Sequence, residues 1–411
     1  MNSQLTLTAA CDRRLVAVEV SSQRTIEWVI TANSAAKQTE RAPLNVALIL
    51  DRSGSMSGEK LRYVQQAASH VLDQLDGRDR VALVAYDETV QLLAASTLIT
   101  AASRAELKAK IEALRPGGST DLGGGWLEGC REVAAHLSET SVSRALLLTD
   151  GLANCGITDV EELGRHAREL RRRGVATSTF GVGLDFNESL LELLAEQGGG
   201  RFYFIERPGQ IPEVFRRELG ELLEVVAREA SLRITIPTGV ALEVLGELPH
   251  ERGDGQVRVF LGDLSSGEQR AVYTRILTPP DTVGTQVALR GELGYATMEG
   301  QAARTHAEIG FNYAREAEVR LMPVANDLLG RAGEVELAAT AKQALRLERS
   351  GQRAQAQSLL HAALAANAPT MAAPTAAAYN SLADQLGQGM DEASRKRAHF
   401  DSYQARQARK K

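Results

Sequence analysis

Cysteine is scarce in this chain, and what there is does not pair. Cys11, Cys130 and Cys155 are the only three in 411 residues. They are odd in number, far apart and without a CxxC spacing, which argues against both a disulfide framework and a thiolate zinc site. Free thiols fit a reducing compartment. Long apolar runs are also missing: nowhere do about 18 apolar residues follow one another, so no membrane-spanning helix is expected. The opening "MNSQLTLTAACDRRL" has no basic stretch followed by an apolar one, so no secretory signal is expected either. Together these absences point to a cytoplasmic protein. One-sided charge is lacking as well. The net charge of −5 gives no whole-chain pull toward nucleic acid or an anionic membrane. The seven histidines, at 70, 136, 166, 250, 306, 361 and 399, show no metal-ligand spacing, and each reads as a surface or satisfied helix residue.

What remains is an ordinary globular balance of 44% hydrophobic and 24% charged residues, in a chain long enough for two or three domains. Residues 43–226 alternate apolar runs with helical patterns. The runs are "NVALIL" (45–50), "RVALVAY" (80–86), "RALLLT" (144–149), "VATSTFGVG" (175–183) and "RFYFI" (201–205). Between them Leu61, Val64, Ala68, Val71 and Leu75 recur at helical spacing, as do Leu122, Trp126, Cys130, Val133 and Leu137. This predicts an α/β domain, a doubly wound, mainly parallel sheet covered on both faces, with "TVQLLAAST" as an antiparallel edge hairpin. Residues 227–320 instead alternate apolar and polar positions in short runs, the signature of an antiparallel β-sandwich. Residues 1–42 carry the same signature, and two or three such strands cannot bury a face alone. The α/β domain is therefore expected to be an insertion within one sandwich. Residues 321–367 read as a helical hairpin turning at Ser350-Gly351, and 368–411 as a linker, a short helix and a solvated basic tail.

Ligands of an open parallel sheet sit beyond the carboxyl ends of its strands. Three loops converge there: Asp51-Arg52-Ser53-Gly54-Ser55, Gly117-Gly118-Ser119-Thr120-Asp121 and Thr149-Asp150-Gly151. Hydroxyls and carboxylates without nearby His or Cys favour a hard cation, Mg²⁺ foremost, with Mn²⁺ or Ca²⁺ as alternatives. Ser53 and Ser55 can turn to one point because residues alternate, and Asp51 and Asp150 supply two negative charges.

Asp-x-Ser-x-Ser after an apolar strand, Thr120 in a Gly-rich loop and Asp150-Gly151 after another strand resemble the von Willebrand factor type A domain and its metal-ion-dependent adhesion site. The resemblance covers roughly residues 43–226. It implies that Ser53, Ser55 and Thr120 ligate the ion directly, that Asp51 and Asp150 act mainly through bound water, and that a partner's Asp or Glu fills the open position. The flanking β-rich and helical segments look like those of bacterial cytoplasmic members of the family. The resemblance also implies that the last helix of the domain, about 209–227, shifts with metal coordination.

The expected function is thus metal-dependent capture of a protein partner, without nucleic acid, membrane or catalysis. The alternatives are a Mg²⁺-dependent hydrolase and a scaffold with an idle metal site. "GSMSG" puts methionine where a nucleophile elbow needs serine, and "DRSGS" lacks the second Asp of a phosphoryl-transfer aspartate. Gly181-Val182-Gly183 does not continue into a dinucleotide fingerprint, because Asn187 stands near where a third glycine is needed. Gly123-Gly124-Gly125 is expected to pack its helix closely, and Asp121 to cap that helix. Asn154 and Asp185 lie in loops at the same sheet edge, either lining a partner groove or serving as turn residues.

Overall fold

The computed structural model describes residues 4–33 and 41–410. The chain opens with three strands, β1 (Leu5–Cys11), β2 (Leu15–Ala17) and β3 (Ser22–Ala32). It then builds an α/β unit. The first half of that unit comprises β4 (Leu44–Asp51), α1 (Glu59–Gln74), β5 (Arg80–Tyr86), β6 (Val90–Leu98), α2 (Ala101–Glu112) and α3 (Leu122–Ala134). The second half comprises β7 (Val142–Thr149), α4 (Val160–Arg172), β8 (Ala176–Val182), α5 (Glu188–Gln197), β9 (Gly199–Ile205) and α6 (Ile211–Leu223).

The sheet order is β6-β5-β4-β7-β8-β9, with β6 the antiparallel edge strand. The central strand β4 is buried along its whole length, which is why its sequence is a continuous apolar run. Its residues alternate between two cores. Val46, Leu48 and Leu50 pack with Val64, Val71, Phe215 and Leu219 of α1 and α6. Ala47 and Ile49 face the other way, toward Trp126, Val133 and Leu190 of α3 and α5. With both faces covered, the carboxyl edge of the sheet is left as the place where loops can gather.

Helix α6 runs directly into β10 (Val225–Thr235), the first of the later antiparallel strands. These continue as β11 (Ala241–Val244), β12 (His250–Gly253), β13 (Gln256–Ser265), β14 (Gln269–Thr278), β15 (Gln286–Ala296) and β16 (Ala302–Ala314). They form two sheets, β1-β3-β14-β11 and β12-β13-β10-β15-β16-β2. β3 pairs with β14 from Ser22 opposite Thr278 to Thr31 opposite Gln269, so strands from the two ends of the chain share one sandwich and the α/β unit is inserted between them. Trp28 fills the space between the sheets. It is fully buried, its Nε1 donates to Thr274 Oγ1 at 3.0 Å, and a Cβ on Gly291 of the facing sheet would lie 2.5 Å from its ring.

A short helix α7 (Glu316–Leu321) leads to the hairpin of α8 (Asn326–Arg349) and α9 (Arg353–Asn367), which turns through Ser350 and Gly351. Gly351 takes the left-handed φ of +83° that the turn requires.

The carboxyl-terminal segment departs from the sequence expectation of a linker, a short helix and a solvated basic tail. The second half of the expected linker opens helix α10 (Ala373–Gln388), with Pro374 in its first turn, where a missing N–H is harmless. The basic stretch is helix α11 (Glu392–Arg406), followed by a short strand β17 (Arg409–Lys410) on β14. Lys396, His399, Ser402, Tyr403 and Arg406 share one buried face of α11, successive turns being three or four residues apart. Their charges are tolerated because acidic side chains of the α/β unit meet them: Lys396 Nζ donates to the Phe186 carbonyl at 2.6 Å and pairs with Glu188 at 2.8 Å. The Phe202 N–H donates to the Tyr403 hydroxyl at 3.1 Å. His399 is likewise buried, with Nε2 2.5 Å from Glu192 Oε2.

Candidate metal centre

The carboxyl ends of β4 and β7 deliver Asp51 and Asp150 to the same edge, because the two strands are adjacent and parallel. Both aspartates are fully buried. Ser53 N–H donates back to Asp51 Oδ1 at 2.7 Å, which curls the loop so that Ser53 and Ser55 face each other with hydroxyls 3.2 Å apart. Ser55 Oγ then donates to Asp150 Oδ1 at 2.7 Å, joining the β4 and β7 loops. The third loop is held by backbone bonds: Gly54 N–H to the Gly118 carbonyl at 2.9 Å, and Gly117 N–H to the Arg52 carbonyl at 2.7 Å. The approach is close at Gly54, where a Cβ would lie 3.3 Å from the Gly117 oxygen.

Thr120 is also buried. A Cβ built on Gly151 would lie 3.4 Å from Thr120 Oγ1 and 3.7 Å from Ser55 Oγ, so both hydroxyls flank that one glycine. The structure thus brings Asp51, Ser53, Ser55, Thr120 and Asp150 to one edge of the sheet. Ser55 is the exposed member, and it opens the cluster to solvent.

Three supporting residues escaped the sequence reading or were left undecided in it. Thr149 Oγ1 donates to Asp51 Oδ2 at 2.6 Å; its sequence signal was only its place before Asp150. Asn154 brackets Thr120, accepting from its N–H at 2.9 Å on Oδ1 and donating its own N–H to the Thr120 carbonyl at 3.3 Å, so it holds the loop. Lys60 Nζ donates to Asp150 Oδ2, a contact across ninety positions of sequence with no local signal. Asp121 caps α3, accepting from Gly124 N–H at 2.9 Å. Gly125 packs α3 against Tyr86 and Gly123 packs it against Ile157 and Leu163. Asp185 is exposed.

The electrostatics favour a cation. Burial pushes the Asp51 carboxyl up to about 6; the hydroxyls of Ser53 and Thr149 and the Ser53 N–H pull it down, and neighbouring Asp150 adds to the rise. Two buried carboxylates with one ammonium leave a net negative pocket. Among the described residues no group of three or more His, Cys, Asp or Glu side chains is gathered for a metal. An ion here would therefore rest on hydroxyl oxygens beside two carboxylates, a hard donor set that fits Mg²⁺.

Comparison with known proteins bears on the family and the fold. Residues 45–217 match the sequence model of the von Willebrand factor type A domain. An uncharacterised protein of Synechocystis sp. is 30% identical over 294 residues, 68% of this chain and 68% of that protein. The uncharacterised protein YfbK of Escherichia coli is 30% identical over 284 residues, 67% of this chain and 48% of that one, so this chain spans about half of its length. The solved structure of a von Willebrand factor type A protein from Catenulispora acidiphila superposes with a TM-score of 0.71 at 19% identity, covering 88% of both chains; this is a likeness of fold. Among the described residues no helix is long and apolar enough to cross a membrane.

Proposed function

Since the chain belongs to the von Willebrand factor type A family, whose domains commonly mediate protein interactions, we propose that it captures an Asp or Glu side chain of a partner protein through Mg²⁺ held by Asp51, Ser53, Ser55, Thr120 and Asp150. The observation that carries this reading is the convergence of five oxygen-bearing side chains from three loops on one open edge. A cation held largely by neutral hydroxyls keeps most of its charge, and would attract an outside carboxylate.

The chain's own residues support binding rather than turnover. Both oxygens of Asp51 already accept hydrogen bonds, from Ser53 and Thr149, and both oxygens of Asp150 are engaged by Ser55 and Lys60. Each carboxylate oxygen is thus used within the chain, which supports a part in holding the loops around an ion. Beside the cluster, Leu152 is 54% exposed in the loop after β7 and Leu184 is 37% exposed in the loop after β8. Exposed apolar side chains at a polar site offer contact area to a partner surface.

Calorimetry tests the site. Asp51→Ala and Asp150→Ala are each expected to lose about 10–100-fold or more in Mg²⁺ affinity, the range for residues that act through ordered neighbours, while far-UV circular dichroism stays native. Affinity equal to wild type in both variants refutes it. Affinity capture with wild type and Asp51→Ala, each in Mg²⁺ and in chelator, then tests partner binding: true ligands are retained only by wild type in Mg²⁺. Steady turnover of generic ester or phosphate substrates that Asp51→Ala abolishes would favour a hydrolase instead.

The domain junction gives a further expectation. Ser265 Oγ donates to the Glu221 carbonyl at 3.1 Å and Ser266 N–H to the Glu224 carbonyl at 2.8 Å, so the end of α6 is tied to the sandwich. Addition of Mg²⁺ and an acidic peptide is expected to change hydrogen exchange within residues 209–235. Identical exchange throughout that span counts against coupling between the domains.

A further inference from the structure

Lys60 occupies a particular place in this cluster. It is the second residue of α1, and its stem passes the loop after β8, where a Cβ on Gly183 would lie 3.8 Å from Lys60 Cε and 3.7 Å from Nζ. The ammonium ends on Asp150 Oδ2, while Ser55 Oγ bonds the other oxygen of the same carboxylate. The Asp150 side chain has no exposure at all and that of Lys60 retains 23%. A flexible four-carbon stem with one side in solvent lets the ammonium leave by a change of rotamer, without movement of the backbone.

We propose that Lys60 is a resident counter-ion that competes with the divalent cation for Asp150, and so sets how tightly this site holds metal. The inference rests on the metal-site reading above. Without metal, the ammonium neutralises one of two buried carboxylates and keeps the loops together. A divalent ion brought among the same oxygens meets a like charge and must displace it. The affinity of the site is therefore the affinity of its oxygens reduced by the free energy of the Lys60–Asp150 pair. Lys60 acts through Asp150 and is a positioning residue rather than a ligand.

The test uses the full chain with Lys60→Met, which keeps the stem, and Lys60→Gln, which keeps a hydrogen-bond donor without charge. Calorimetric titration with MgCl₂, and Mn²⁺ titration followed by the electron paramagnetic resonance of the free ion, are expected to show binding about tenfold or more tighter in both variants than in wild type. In chelator the variants are expected to melt at lower temperature than wild type, and saturating Mg²⁺ to raise their melting temperature by more than it raises that of wild type. Should Lys60→Met fail to fold, Lys60→Gln carries the comparison. Affinity in the folded variants equal to or weaker than wild type overturns the role of Lys60 and leaves the metal site standing. Absence of saturable Mg²⁺ and Mn²⁺ binding in wild type and variants alike overturns both.

Discussion

Replacing Arg406 with methionine is expected to destabilise the chain by about 3–5 kcal/mol, the range for removing one partner of a buried ion pair. Arg406 is 1% exposed, near the end of α11. Its Nη2 lies 2.6 Å from Glu192 Oε1 and its Nη1 3.1 Å from Glu196 Oε1, both on α5 of the α/β unit. Lys342 of α8 and His399 also reach Glu192, at 2.7 and 2.5 Å. Burial opposes ionisation of Glu192, but His399, Arg406 and Lys342 together hold it well below the usual carboxylate range. For Glu196, burial and then the neighbouring Glu192 charge win, and push it up to about 7. Methionine fills much of the same volume yet leaves Glu192 with less compensation, so the loss is electrostatic rather than a cavity. The pH dependence separates these causes. In the variant Glu196, already raised, loses its cation and its folded-state pKa rises further, so the native state keeps a proton that the unfolded chain releases above about pH 4.3, and stability falls more as pH increases than it does in wild type. The deficit against wild type is expected to be larger at pH 8 than at pH 5 by chemical denaturation. A deficit below about 1 kcal/mol, or one of equal size at both pH values, would show that the pair is not what anchors α11.

That contact also explains which parts of the molecule the sequence conceals. The positions Asp51, Ser53, Ser55, Thr120 and Asp150 could be singled out because each stands at or just beyond the end of an apolar strand, or just before a helix, so its place follows from local periodicity and one rule about parallel sheets. The insertion of the α/β unit in the sandwich is readable for a related reason: Leu5 and Leu7, then Ile26, Trp28 and Ile30, place apolar residues at alternate positions of strands that have too few neighbours of their own. Lys60, Thr149 and Asn154 have no such signal, since each earns its role from a loop that only the fold brings near. The tail is the extreme case. Lys396 and Arg406 find Glu188 and Glu192 across 208 and 214 positions of sequence. A run of basic residues seen without its acids reads as solvated, because an unpaired charge has no reason to be buried.

A further steric constraint on the loop edge lies behind it, where α3 meets the sheet. A Cβ on Gly125 would come within 2.5 Å of Tyr86 Cγ and 2.9 Å of Tyr86 Cβ, atoms next to the backbone rather than at a movable tip. Tyr86 cannot yield. It is fully buried and its hydroxyl donates to the Leu148 carbonyl at 3.1 Å. Gly125→Val must therefore push α3 away from β5, at a cost of about 3 kcal/mol or more, at or above the usual range for overpacked cores. The displacement would reach the site as well, because α3 begins at the Asp121 cap directly after Thr120, and Asp121 N–H is bonded to the Asp87 carbonyl at 2.7 Å. Gly125→Val is thus expected to weaken Mg²⁺ binding along with stability, although residue 125 bears no donor side chain. Gly220 of α6 is the matched control: a Cβ there meets nothing within 4 Å, so Gly220→Ala should stabilise by about 0.5–1 kcal/mol through helix propensity alone. Urea denaturation of the two variants, with Mg²⁺ calorimetry on whatever Gly125→Val remains folded, decides the matter. Equal stability of the two would mean that α3 does not rest on Tyr86, and native Mg²⁺ affinity in Gly125→Val would mean that the Thr120 loop is positioned independently of its helix.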